Sequence, residues 1–461
     1  MTDARPNILL IMADQLRSDW LGCAGNAGVD TPHIDSLAAR GVRFAKASCT
    51  SPVCAPSRAS LASGLLPHRT GVLHNKHNYP RDCPTYYQAL RGAGYRVGVV
   101  GKTDLHKADH DYGADGDLPL LYHFGFTQPH ETEGKGNASK PAASSEAGEF
   151  RLAGPYQRYL RDKGLLEPFL DDRKRRSRQS VWHADPCPLD PADVHDSYIG
   201  RKACEWIERV NGDAPWHLFV SFVGPHNPWD APESYACRYA EREYPESVGP
   251  EADGKPEAVR LRMEKQSREL TPEGLLRVKR HYAAAIRLID DWVGQLLERI
   301  ERKGLTDRTI VVFCADHGEM LGDHGLFLKT VHYEGALRVP LIVADPRRGH
   351  PGAVSDALVE LNDLHPTMLD WAGAEYAASR LDGKSLLQVL TDPGRAHKAY
   401  QVSELLNSRM IADRSYKYIE TYNDKPELYD LEADPGERTN VAEERPEVAA
   451  RMLRMLKEAC K

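Results

Sequence analysis

Four apolar runs of strand length, each halted by polar residues, constrain this chain more than anything else in it. Residues 7–12 run into Asp14 and Gln15, 95–100 into Gly101 and Lys102, 217–223 into Pro225 and His226, and 309–314 into Asp316 and His317. Runs without polar alternation are strands buried on both faces, as in parallel sheets. Helical patterns lie between them. Thr31 is placed as an N-cap, with Pro32 at the first helical position and Gly41 as terminator. A longer helix from about residue 272 to 303 carries Tyr282, Ile286, Ile289, Val293 and Leu297 at helical spacing. Strands alternating with helices predict an α/β fold, a large and mainly parallel sheet flanked by helices on both faces. Such sheets hold their ligands at the C-terminal ends of the strands. Asp14, Gln15, Asp316 and His317 would there form an oxygen-rich site with one imidazole, suited to a hard divalent cation.

At 461 residues the chain is long enough for one large domain and a smaller one. We place the first at 1–377 and the second at 378–461. In the second, strand-like pieces at 409–412, 416–421 and 427–431 precede a last helix and predict a small antiparallel sheet. Residues 111–193 are rich in Gly, Pro, Ser and charge and read as an insertion. Its basic run, Arg173 to Arg178, follows Asp171 and Asp172 without interleaved aromatics, which predicts a solvated surface and not a nucleic-acid patch. With a net charge of -7, an anionic ligand would need a local basic cluster to hold it. The nine cysteines stand singly with no CxxC pair, which fits a reducing compartment. The start of the chain is polar, and the run after it is broken by Asp14 before it could serve as a secretory signal or membrane span. The expectation is a cytoplasmic protein with no membrane and no nucleic-acid partner; assembly into a homo-oligomer is left open.

Cys54-Ala55-Pro56-Ser57-Arg58 resembles the signature of the type I sulfatases, a branch of the alkaline-phosphatase-like superfamily. The resemblance implies that a formylglycine-generating enzyme oxidises Cys54 to an aldehyde that hydrates to a geminal diol. The chemistry suits a sulfate ester. An ordinary Ser or Cys that attacked sulfur would be left as a stable ester, whereas the second hydroxyl of a diol can lose its proton, expel sulfate and restore the aldehyde. The resemblance runs from Asn7 to about Ala442 and is weakest in the insertion. It includes Pro32-His33-Ile34-Asp35, the stretch from Gly64 to Gly71 and the stretch from Leu361 to Thr367. There Gly64 and Gly71 are expected as caps or turns, and Asp363 and Thr367 as helix-start groups.

The same resemblance assigns roles. Asp14, Gln15, Asp316 and His317, with an oxygen of modified Cys54, match a Ca2+ site. Gln15 stands where many members have a second Asp and His317 where many have Asn, so Mn2+ or Mg2+ are alternatives. Arg58, one helical turn beyond Cys54, would hold the diol and the helix start; Lys102 and Lys329 would grip the sulfate; His226 would be the general acid. Many members carry a histidine two or three residues after the first of these lysines, as the base of the second step. Here Asp104 is two on and His106 four on, and His106 is favoured because a carboxylate facing sulfate would repel it unless paired to a cation. His74, His77 and Tyr79 are candidates to line a pocket for the alcohol. The implied function is hydrolysis of a small organic sulfate monoester, such as a sulfated sugar. A phosphonate monoester or phosphodiester hydrolase of the same superfamily is the first rival, disfavoured by Lys102, His226 and Lys329. A non-catalytic binder of sulfated ligands is the second.

Overall fold

The computed structural model describes residues 5–142, 150–268 and 270–461. The polar start at residues 1–4, and 143–149 of the proposed insertion, lie outside them. An eight-stranded sheet forms the core. From edge to edge its strands are Gln128–Glu131, Arg96–Gly101, Trp216–Pro225, Asn7–Asp14, Thr309–Ala315, Leu341–Ala344, Val42–Phe44 and Ala353–Ser355. The first five run parallel, and Leu341–Ala344 runs antiparallel to both of its neighbours. Asn7–Asp14 is buried along its whole length, which is why it reads as an uninterrupted apolar run.

Both faces are covered. On one side Gly98 admits the indole of Trp206, which a Cβ there would approach to 2.7 Å, and helices His195–Arg209 and Pro272–Arg302 pack together over the sheet. On the other side the alternate residues His217 and Phe219 meet Tyr86 and Tyr87 of helix Tyr86–Gly92. Register then sets the site. Gly101 lies beside Ser221, Asp14 beside Pro225 after a bulge past Met12, and Ala13 beside Ala315, so four polar strand ends share one edge.

The structure adds detail to several sequence expectations and corrects some. Thr31 precedes helix Pro32–Arg40 but makes no side-chain cap bond. Its hydroxyl accepts from the Gly22 amide and donates to Asp35, while the amides of His33 and Ile34 go to the buried carboxylate of Asp290. Gly41 ends the helix in an extended conformation, φ -139; glycine is needed because a Cβ would lie 2.2 Å from the Val343 carbonyl oxygen. Residues 111–193 are not wholly apart from the sheet, since Gln128–Glu131 is its edge strand. The basic run is only partly solvated: Arg173 is 2.8 Å from Asp230, and buried Arg176 pairs with Asp172 at 2.6 Å. Ion pairing offsets the desolvation that a charge count along the sequence does not register.

The C-terminal part carries a four-stranded antiparallel sheet, Gln401–Leu405, Ser408–Ala412, Tyr416–Thr421 and Glu427–Asp430, in chain order. Met452 and Leu456 of helix Pro446–Ala459 pack on Val402, Ile411, Tyr418 and Leu428 of that sheet. Lys417 ties it to the larger sheet's loops through Glu334 at 2.6 Å. Among the described residues, no helix is long and apolar enough to cross a membrane.

Candidate active site

Helix Cys54–Ser63 begins at the cysteine itself, and all ten of its residues are buried. Small Ala and Ser side chains let it lie deep in the fold. Its first turn is held from outside. The Ala55 amide donates to Asn75 Oδ1 at 3.0 Å, and the Ser57 hydroxyl donates to the Asp316 carbonyl at 2.5 Å. One turn on, Arg58 joins three strand ends, donating to Asp316 Oδ2 at 2.8 Å, the Lys102 carbonyl at 2.7 Å and Ser221 Oγ at 2.8 Å. The planar guanidinium suits such a multiple tie, and pairing keeps its buried charge tolerable.

Around Cys54 Sγ lie Lys329 Nζ at 3.3 Å, His317 Nε2 at 3.2 Å and Asp14 Oδ1 at 3.8 Å. Burial opposes ionisation of the thiol, but Lys102, Lys107 and Lys329 outweigh it and hold Cys54 well below the ordinary thiol range. Asp14 is likewise kept ionised: burial and the neighbouring thiol act against it, and Lys102, His226 and Lys329 prevail. Lys102 bonds Asp14 Oδ2 directly and is 3.0 Å from Asp104.

The donor set fits a divalent cation. His317 Nε2 is 3.7 Å from Asp14 Oδ1 and 3.6 Å from Asp316 Oδ1, about the separation expected of neighbouring ligands that each sit 2.3–2.6 Å from one ion. Ligand atoms of Asp14, Cys54, Asp316 and His317 all lie within 4.8 Å of one another. The His317 ring is oriented for the task, with Nδ1 on the Gly318 carbonyl at 2.9 Å, leaving the Nε2 lone pair for the cluster. Gln15 adds Oε1, 2.6 Å from Lys329 Nζ.

His226 follows the cis Gly224-Pro225 bond, and its Nδ1 is 2.6 Å from the Asn227 carbonyl. Burial, then Lys329, pushes its pKa down, while Asp14 and a hydrogen bond with Cys54 act the other way. Asp104, at φ 59, carries two cations: besides Lys102 it holds Lys107 at 2.6 Å. His106 Nε2 is bonded to Glu131 and its ring lies 5.6 Å from that of Tyr112; burial lowers its pKa, and Glu131 more than reverses this. His74 and His77 are exposed on the loop that carries Asn75. Tyr79 does not face that loop's solvent: it is buried, with its hydroxyl on the Pro84 carbonyl at 2.8 Å, because it packs edge-on against Phe124. Sequence reasoning passed over Lys107, Ser221 and Glu319, and it gave Asn75 no role. Glu319, three residues beyond Asp316 at the same strand end, had a positional signal; the others had none.

A buried thiol set among strand-end carboxylates, an imidazole and lysines, on a mainly parallel sheet with this C-terminal subdomain, defines a hydrolase centre of the alkaline-phosphatase-like class. The sulfatase family profile matches residues 6–374, and a second profile, described as N-sulphoglucosamine sulphohydrolase, C-terminal, matches 322–461. The chain belongs to the sulfatase family. It is 32% identical over 469 residues to a choline-sulfatase of Rhizobium meliloti, covering 96% of this chain and 83% of that one. It is 29% identical to an arylsulfatase of Clostridium perfringens, covering 95% and 90%. In structure it is similar to a phosphonate monoester hydrolase of Agrobacterium radiobacter, with TM-score 0.80, 24% identity and coverage of 99% and 95%. The chain is therefore a sulfuric ester hydrolase, and its family membership implies a formylglycine and a metal.

Proposed function

We propose that the protein hydrolyses the sulfate monoester of a small alcohol, with Cys54 carried as formylglycine and a divalent cation among Asp14, Gln15, Asp316 and His317. The observation that carries this reading is the concentration of lysines at one buried thiol. Lys329 is 3.3 Å from Sγ, Lys102 bonds Asp14, and Lys107 shares Asp104 with Lys102. In a protein of net charge -7, such a cluster is the local basic field that an anionic ester requires. Formylglycine supplies a hydrated aldehyde, one hydroxyl to attack and a second to release sulfate. A bound cation, Ca2+ first and Mn2+ or Mg2+ as alternatives, supplies charge that orients the ester and favours ionisation of the attacking hydroxyl.

The chain's own residues do the rest. Lys102 and Lys329 bind nonbridging sulfate oxygens, and Arg58 neutralises Asp316 and fixes the helix start. His226 donates a proton to the leaving alkoxide; burial and Lys329 lower its pKa, so it takes up that proton only when the anionic ester adds its charge to that of Asp14. Cys54 is 1% exposed, and Lys107, His226 and Lys329, which act on it electrostatically or by hydrogen bond, are only half-buried, which favours a small ester over a polymer. His74 and His77, exposed on the loop whose Asn75 holds the first turn of the Cys54 helix, are the candidates to meet the alcohol. Cytoplasmic location is part of the proposal, supported by the eight cysteines besides Cys54, which stand free of disulfides.

Gln15 and His317 favour one second reading, a phosphonate monoester hydrolase, because hydrolases of that kind tend to have Asp-Gln and Asp-His metal pairs, as in Asp14-Gln15 and Asp316-His317. A release assay over choline sulfate, aryl sulfates and sulfated monosaccharides, with a phosphonate monoester as control, separates the two. We expect a sulfate ester to be turned over with the higher kcat/KM; a preference for the phosphonate overturns the proposal.

A further inference from the structure

An aspartate that ligates a cation offers two equivalent oxygens, whereas a glutamine offers one oxygen and one NH2. Gln15 therefore has an orientation problem that Asp14 and Asp316 do not, and the structure contains its solution. Glu319 is 0% exposed. Its Oε2 lies 2.5 Å from Gln15 Nε2, and its Oε1 accepts from the backbone amides of Leu321, at 3.0 Å, and Leu328. On its other side the Gln15 amide meets Lys329 Nζ at 2.6 Å. Between a carboxylate that only accepts and an ammonium that only donates, one amide orientation satisfies both. That orientation turns Oε1 away from Glu319, towards Lys329, whose Nζ also reaches Cys54.

The same carboxylate reaches further. Its bonds to Leu321 and Leu328 span the segment that ends at Lys329, whose Nζ is 3.3 Å from Cys54 Sγ. Gln15 at φ 70 and Leu328 at φ 69 both occupy the left-handed region, which side-chain-bearing residues adopt only when the surroundings hold them there. Glu319 bonds to both residues.

We propose that Glu319 is the positioning residue that fixes the amide orientation of Gln15, so that Gln15 presents oxygen to the cation, and that holds the Lys329 segment in register with it. The proposal rests on the metal reading given under Proposed function. It makes an asymmetric demand. In Glu319→Gln the new side chain must still accept the two backbone amides through its one oxygen. Its NH2 then faces residue 15 and draws the Gln15 oxygen round, leaving NH2 towards the cation. Exchanging the two residues, Gln15→Glu with Glu319→Gln, conserves charge and volume and restores an acceptor on both sides of residue 15.

The test titrates full-length, chelator-stripped protein with Ca2+, and separately with Mn2+, by calorimetry, with melting in chelator as a control for folding. Glu319→Gln should weaken cation binding by about 10–100-fold, and the exchanged pair should return to within about threefold of wild type. Unchanged affinity in Glu319→Gln overturns the role of Glu319, as does an exchanged pair that binds as poorly as the single variant. Wild-type protein that takes up neither ion overturns the metal site itself, a different failure. If Glu319→Gln does not fold, the exchanged pair decides alone: wild-type affinity supports the proposal and weak binding overturns it.

Discussion

Asp104 is the residue at which the charge of this centre is most finely balanced. A bare carboxylate would repel a sulfate, yet this one is 3.0 Å from Lys102 and 2.6 Å from Lys107, and burial, which disfavours its charge, is outweighed by those two lysines. Its Oδ1 is buried and unpartnered, whereas His106 spends Nε2 on Glu131. The pairing to a cation that sequence reasoning required of Asp104 is therefore present, and in the proposed mechanism both Asp104 and His106 are candidates for the second-step base. Rapid mixing separates them: the variant that releases one equivalent of alcohol per site and then stalls identifies the acceptor. We expect that behaviour from Asp104→Asn, and from His106→Ala a stability loss with turnover retained; the reverse pattern returns the role to His106. Cys54→Ala should lower turnover by at least about a hundredfold. Its melting temperature should stay close to that of the unmodified protein, because only Sγ is removed at the first position of a helix whose other contacts persist.

At the scale of elements, the strands most legible in the sequence are those buried on both faces. Asn7–Asp14, Trp216–Pro225 and Thr309–Ala315 have no solvent side to impose alternation, so composition alone delimits them. Short strands such as Val42–Phe44 and Gln128–Glu131 owe their existence to pairing with a neighbour already in place, which no local pattern encodes. Caps show the same division. Thr31 has the right residue type for its position, but Asp290, from helix Pro272–Arg302, takes the amides of His33 and Ile34, a contact across 256 residues for Ile34. Burial pushes Asp290 up to about 7, against the opposing pull of those amides. A carboxyl whose folded pKa exceeds its unfolded one binds its proton more tightly in the folded state. Its contribution is therefore present in acid and lost as pH rises from about 4, the unfolded value, towards 7. Asp290→Asn keeps an acceptor for the amides and cannot ionise. Its stability relative to wild type should rise between about pH 4 and 7, by an amount on the order of a few kcal/mol, measured by denaturant unfolding; a flat difference refutes the assignment.

In the whole molecule, the candidate site was readable where the parallel sheet gathers strand ends and unreadable where loops return to it. Asp14, Lys102, His226 and Asp316 follow from the rule that such sheets bind at their C-terminal edge. Lys107 and Asn75 reach the centre from turns whose paths depend on the finished fold. Removal of the cation tests how far that convergence is self-sufficient. Asp14 and Asp316 would repel each other alone, but Lys102 bonds the first and Arg58 the second at 2.8 Å, so the ligands are held apart from the ion by protein cations. The chelated protein should then remain folded and melt only a few degrees lower. Saturation at a hundredfold above Kd stabilises by about 2.7 kcal/mol, and in a chain of 461 residues that is spread over a large unfolding entropy. The measurement is melting temperature against free Ca2+ after chelation. No dependence on concentration would show that the ion and the fold are uncoupled, and collapse of the fold on chelation would show that Lys102 and Arg58 do not hold the carboxylates in its absence.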